Sequence, residues 1–158
     1  MSINTKQVAG RRQLHFDTLD DIVAELDRLE GQPLRSLGNW TVGQNLSHLA
    51  AVMNAAIDGA DFKAPWIIRL LVPLFKRKLL AGPMPPGFKL PKRAASFMPC
   101  ETDTAAGFAA LRQAIHRLRT ENHRELSPVF GSLTLDEWIN LHCRHCELHL
   151  SFIVPSSS

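Results

Sequence analysis

Apolar residues return at three- and four-residue steps in four separate stretches of the chain, the spacing that lines one face of an α-helix. Leu19, Ile22, Val23, Leu26 and Leu29 make the first stripe, between Thr18-Leu19-Asp20-Asp21 and Gly31-Gln32-Pro33. A threonine oxygen can accept from a free backbone N–H and early acidic residues suit the positive end of the helix dipole, so this pattern predicts a helix from Thr18 to about Gly31. Thr41 and Gln44 have the spacing of a capping box and open a second predicted helix, running to about Gly59. Glu101-Thr102-Asp103-Thr104 opens the third, whose stripe is Phe108, Leu111, Ile115 and Leu118, up to about Asn122-His123. Thr134 and Glu137 form another capping box, and the fourth helix is predicted to reach Phe152-Ile153-Val154. The pattern contains no internal repeat and predicts no strand.

Between these stripes the chain changes character. Residues 1 to 16 read as a polar, basic arm, with Arg11 and Arg12, whose last residues Leu14-His15-Phe16 dock on the core. Residues 61 to 100 form a long excursion. Its apolar run Pro65 to Phe75 suits a short helix begun by Pro65 and kinked or ended by Pro73, and Gly82-Pro83-Met84-Pro85-Pro86-Gly87 with Pro91 and Pro99 precludes a long regular one. Such a connection reads either as a lid over a site or as a short packed helix followed by a surface strap. Contact of its apolar run and basic flank with a membrane surface is a third reading, ranked well below core packing because the run is short and interrupted by proline. The Arg117-to-Arg124 stretch reads as a solvated face. The Pro155-Ser156-Ser157-Ser158 tail is expected to be disordered. Together these features predict an all-α fold: one domain over residues 1–154, a four-helix bundle with a Pro-rich excursion between its second and third long helices.

Composition narrows the function classes. At 158 residues the chain is long enough to bury one substantial core without a disulfide. Three cysteines, two of them three apart on a predicted helix, point to a reducing compartment, and the cytoplasm is the expected location. The start of the chain lacks a signal-peptide apolar core, and no apolar run has the length of a membrane span, so no stable membrane insertion is expected. A net charge of +3, spread over several segments, gives nucleic-acid binding little support. A small-molecule substrate and a monomer or homodimer are the expected partners.

The chemistry concentrates in Asn140 to Leu150, which holds three of the seven histidines and two of the three cysteines. On a helix His145 and His149 lie one turn apart on one face and can share a metal ion. The missing ligand is expected to be His48, which points along a face of the second helix made mostly of small apolar residues, where an imidazole needs a partner. His142 lies about 60° from His145 and about 10.5 Å along the axis from His149, too far for all three rings to meet one ion undistorted, and is read as a proton carrier or general base. A rival pairing joins His142 to Cys146, the softer donor set of a closed structural zinc site. Cys143 reads as a half-exposed thiol and Cys146 as a core filler, or, on a second reading, as a redox-sensing pair beside a metal. Three neutral imidazoles favour zinc or nickel without excluding iron or copper, and leave an open position of the kind used in catalysis.

Trp40-Thr41-Val42-Gly43-Gln44-Asn45-Leu46-Ser47-His48-Leu49, with His145-x3-His149 near the C-terminus, resembles the DinB/YfiT-like metalloenzyme superfamily. The Arg11-to-Phe16 start, the Phe130-to-Trp138 turn and Arg144-His145 resemble an uncharacterised branch of it. The resemblance covers nearly the full chain. It implies a four-helix bundle holding a divalent metal on His48, His145 and His149, and an activity of the thiol-dependent transferase kind, in which a low-molecular-weight thiol or water attacks a small electrophile. Its alternatives are a non-catalytic metal-binding or stress-sensing protein and a structural dimer without activity.

Overall fold

The computed structural model describes residues 3–87 and 94–156, and it is mostly helical. Four long helices, α1 (Leu19–Leu29), α2 (Val42–Asp58), α5 (Thr104–Thr120) and α6 (Leu135–Leu150), enclose a single core. Two short helices, α3 (Trp66–Leu71) and α4 (Lys76–Ala81), lie in the connection between α2 and α5. The long helices begin where their side chains can satisfy the free N–H groups. Thr18, Thr41 and Thr134 each accept from the third helical backbone N–H while Asp21, Gln44 and Glu137 return the bond, and Asp103 accepts from the Ala106 amide. The core side of α1 is Leu19, Ile22, Leu26 and Leu29, and that of α5 is Phe108, Leu111, Ala114, Ile115 and Leu118.

Helices α2 and α5 approach backbone to backbone. A Cβ on Gly43 would lie 2.0 Å from the Thr102 carbonyl oxygen, and one on Gly107 would lie 3.1 Å from the Gly43 Cα. These two glycines draw the first turn of α2 against the start of α5, and so fix where the face carrying Asn45 and His48 looks.

Two expectations about the C-terminal end are corrected. Helix α6 stops at Leu150, and Ile153–Pro155 forms a strand, β2, antiparallel to β1 (Leu34–Ser36) with Ser36 opposite Ile153. The tail is therefore ordered at Pro155, which pairs with Leu34, and at Ser156, whose amide donates to the Pro33 carbonyl at 2.8 Å. Ser157 and Ser158, like Met1, Ser2 and Pro91, lie outside the described residues.

The arm docks more firmly than its polarity suggested. Arg12 donates to the carbonyl of Leu150 at 2.8 Å, an acceptor that the end of α6 leaves free, and to that of Ile153 in β2 at 2.7 Å. It also pairs with Glu25 of α1. Phe16 is buried, with its amide donating to Glu147 at 2.7 Å and its carbonyl accepting from Arg144. The Arg117-to-Arg124 stretch is largely solvated, as expected, with Arg119, Thr120, Asn122 and His123 exposed. Surface ion pairs cross from α5: Arg117 reaches Asp58 of α2 and, outside that stretch, Arg112 reaches Asp27 of α1, each at 2.7 Å.

Burial raises the Glu25 carboxyl pKa, but hydrogen bonds and charge from Arg28 and Arg12 outweigh it and leave the group below its ordinary value. A depressed carboxylate adds stability that is present above its unfolded pKa and lost as pH falls through its folded one. Glu25→Gln is therefore expected to destabilise the protein by about 1–3 kcal/mol at neutral pH, with the deficit shrinking below about pH 4. Urea unfolding of both proteins across that range checks this; a deficit independent of pH would contradict it.

Candidate metal centre

His48, from the middle of α2, meets His145 and His149, from the last two turns of α6. One ring nitrogen from each lies within 4.8 Å of the other two, and the Nε2 atoms of His48 and His145 are 3.3 Å apart. Two nitrogens held tetrahedrally by one zinc ion at about 2.05 Å would be separated by about 3.3 Å. His48 is buried, and His145 and His149 are half-buried at the floor of an open pocket of about 1050 Å³.

The partners of these rings decide which nitrogen faces inward. His48 Nδ1 lies 2.6 Å from the carbonyl oxygen of Phe97, an acceptor only, so Nδ1 carries the proton and donates. The Asn45 amide nitrogen donates to the carbonyls of Thr41 at 2.9 Å and Trp40 at 3.3 Å, which turns its Oδ1 toward His149 Nδ1 at 3.0 Å. His149 Nδ1 therefore donates as well. In both rings Nε2 is left with a lone pair aimed into the cluster, the orientation in which a histidine ligates while its other nitrogen is held by an oxygen. Trp40 stacks on His149, with an interplanar angle of 9°, and limits its tilt.

Burial lowers the pKa of His48, and it drives those of His145 and His149 well below the ordinary value, with the neighbouring imidazoles adding to the effect on both and Arg11 to that on His149. All three rings are neutral at pH 7, the form that binds a cation. Among the described residues this is the group of three or more potential metal donors that converges, and its donor set and orientation fit a divalent ion of the zinc class.

The structure does not bring His142 to this cluster. Its ring is buried against Trp138, with centroids 5.5 Å apart and neither nitrogen hydrogen-bonded, and it does not line the pocket. Burial and the Arg124 charge lower its pKa to about 3. Cys146 is fully buried, as expected, and Cys143, expected to be half-exposed, is fully buried too, on a turn of α6 whose Arg144 and Glu147 bind the docked arm at Phe16. Burial raises the Cys143 thiol to about 11 and Cys146 well above its ordinary value. In native protein at pH 8 only the exposed Cys100 should react quickly with a thiol reagent, the other two at least about a hundredfold more slowly until the chain unfolds. Three fast thiols would contradict this.

The partners Asn45 and Phe97 and the pocket walls are not evident from the histidine spacing. Asn45 stands one helical turn before His48, a signal that periodicity offered; the Phe97 carbonyl has no side-chain signature. The walls come from the arm, Ile3 to Lys6, and from the Pro-rich excursion, Met84 to Gly87 with Met98.

A sequence model of one protein family, "Protein of unknown function (DUF1569)", matches residues 8–156. The chain belongs to the DUF1569 family. No curated protein and no solved structure matches it. The matched region of this DUF1569 chain contains all three histidines and both excursion segments that wall the pocket, so the centre is built inside the family's own domain.

Proposed function

We propose that this protein is a divalent-metal-dependent enzyme, a single DinB/YfiT-like four-helix bundle over residues 1–154, in which His48, His145 and His149 hold zinc or nickel beside a small-molecule pocket. The observation that carries the reading is the pair of oxygen partners, Phe97 O and Asn45 Oδ1, which turn two Nε2 lone pairs onto the point that His145 also faces. The motif around Trp40 to Leu49 and the convergence of His48 of α2 with His145 and His149 of α6 support the DinB/YfiT likeness. When bound, such an ion supplies Lewis acidity that makes a thiol or water nucleophilic at neutral pH and polarises an electrophile.

The chain's own residues do the rest. Three neutral nitrogens add no charge, so a dication keeps its full positive charge toward the pocket. Trp40, Leu148, Met84 and Phe152 present apolar surface there, which suits a small apolar electrophile and restricts water, while Asn39 and Lys6 offer polar contacts nearer the arm. His142 has no contact with the pocket; the role left to it is positioning, by packing the α6 turn that carries His145. The high pKa and burial of Cys143 and Cys146 disfavour a thiol-sensing function.

The test is an assay of zinc- and nickel-loaded protein with a low-molecular-weight thiol, glutathione or cysteine, and a chromogenic aryl or epoxide electrophile. Turnover that requires the metal and falls about ten- to a hundredfold in Asn45→Ala, where His149 loses its orienting partner, supports the reading. Metal-independent turnover, or a metal-loaded protein inert with both thiol and water as nucleophile, overturns it.

A further inference from the structure

The connection between α2 and α5 has a composition unlike the rest of the chain. Eight of the eighteen Lys and Arg residues fall between Phe62 and Cys100, and none of the fifteen acidic residues does. The remainder of the protein is net negative by five, so the overall charge of +3 conceals a strongly basic segment on an acidic body. The same segment carries the chain's densest apolar run, and the fold does not bury it. Trp66 is 72% exposed, Leu70 63% and Leu74 75%, with Ile67, Leu71, Phe75 and Leu79 also exposed.

This surface is held in place rather than dangling. Leu80 is buried in the core, Lys76 pairs with Glu137 at 2.8 Å, and the Ala64 amide donates to the Pro128 carbonyl at 2.9 Å. Helix α3, the turn Val72–Phe75 and helix α4 are therefore presented outward by a fixed base. Among the described residues Lys76 is the one cation of the segment in a salt bridge, leaving Lys63, Arg69, Arg77 and Lys78 free beside the apolar side chains.

We infer that the α3–α4 face docks peripherally on an anionic lipid surface. Aliphatic side chains and a tryptophan can enter the headgroup boundary, and lysines and arginines among them attract the acidic headgroups, so the two features reinforce one another at an anionic bilayer. A second copy of the chain is a poorer occupant, because face-to-face pairing would set two basic segments of like charge together. Neither helix is long enough to span a membrane, and among the described residues no helix is long and apolar enough to do so, which restricts the contact to the surface.

The test is co-sedimentation of the full chain with vesicles of phosphatidylcholine alone and of equal parts phosphatidylcholine and phosphatidylserine. Partition at least about tenfold stronger onto the anionic vesicles, weakening as salt is raised, is expected. It should fall about tenfold in Trp66→Ser/Leu74→Ser and again in Arg69→Gln/Arg77→Gln/Lys78→Gln, exposed positions whose replacement leaves the circular dichroism unchanged. Equal partition onto both vesicles, variants that bind as the parent does, or a concentration-dependent dimer lost in Trp66→Ser/Leu74→Ser would each overturn the proposal, the last by giving the face to a second copy.

Discussion

His145→Ala should bind zinc at least about a hundredfold more weakly than the parent protein, a loss at or beyond the upper end of what removing a ligand's hydrogen-bond partner produces. The three rings form a nearly equilateral triangle, with centroids 5.1 Å apart for His48 and His145 and 4.7 Å apart for the other two pairs, so removal of His145 leaves one nitrogen from each helix and no third. The substitution should cost little stability, because the ring is half-buried at a pocket floor and no backbone group depends on it. Competition titration of zinc against a chromophoric chelator, with urea unfolding of the same samples, separates the two effects. Cys146→Ala is the informative comparison: it should leave the affinity unchanged, whereas the rival His142–Cys146 pairing predicts the reverse order. An unchanged affinity in His145→Ala would remove that residue from the centre.

Gly43→Ala is expected to be the most damaging single-methyl change in the protein, at about 3 kcal/mol and about 10 °C in Tm. Alanine ordinarily favours a helix over glycine by about 1 kcal/mol, so simple propensity predicts the opposite sign. Sterics decide it, because the added Cβ would sit 2.0 Å from the Thr102 carbonyl oxygen and 2.6 Å from that of Asp103, backbone atoms that cannot rotate away. The start of α5 must separate from α2, and the displacement passes to Asn45 and His48, two and five residues further along α2. Weakened metal binding should accompany the lost stability. Gly82→Ala is the control: its Cβ would make only an ordinary contact, 3.4 Å from the Lys78 carbonyl oxygen, and its effect should be within about 0.5 kcal/mol. Equal effects at the two glycines would contradict the close approach.

The parts of this architecture that were legible in the amino-acid sequence are those set by local chemistry. Thr18, Thr41 and Thr134 mark helix starts because each is three residues before a side chain that completes its cap, and the stripes of α1 and α5 follow from 3.6-residue periodicity. The His145–His149 pair is equally local. What escaped depends on distant contacts. Strands of three residues, Leu34–Ser36 and Ile153–Pro155, are too short to alternate visibly, and each exists only because the other is beside it. Ile153 and Val154 continue the apolar pattern of α6, which made the helix look longer than it is. Cys143 looked half-exposed because nothing in α6 reveals that the arm docks on the neighbouring Arg144 and Glu147 through Phe16. His142 looked like a participant because a helical wheel gives its angle but not the depth at which Trp138 and Arg124 enclose it.

The central claim is that two helices far apart in sequence present three imidazole nitrogens to one ion. X-ray absorption spectroscopy on protein produced without an affinity tag and loaded with zinc addresses it directly. The expected result is one ion per chain with three histidine nitrogens at about 2.0 Å and no sulfur, and loss of one of those scatterers in His149→Ala. A sulfur shell at about 2.3 Å, or a chain that retains no stoichiometric metal, would contradict the account.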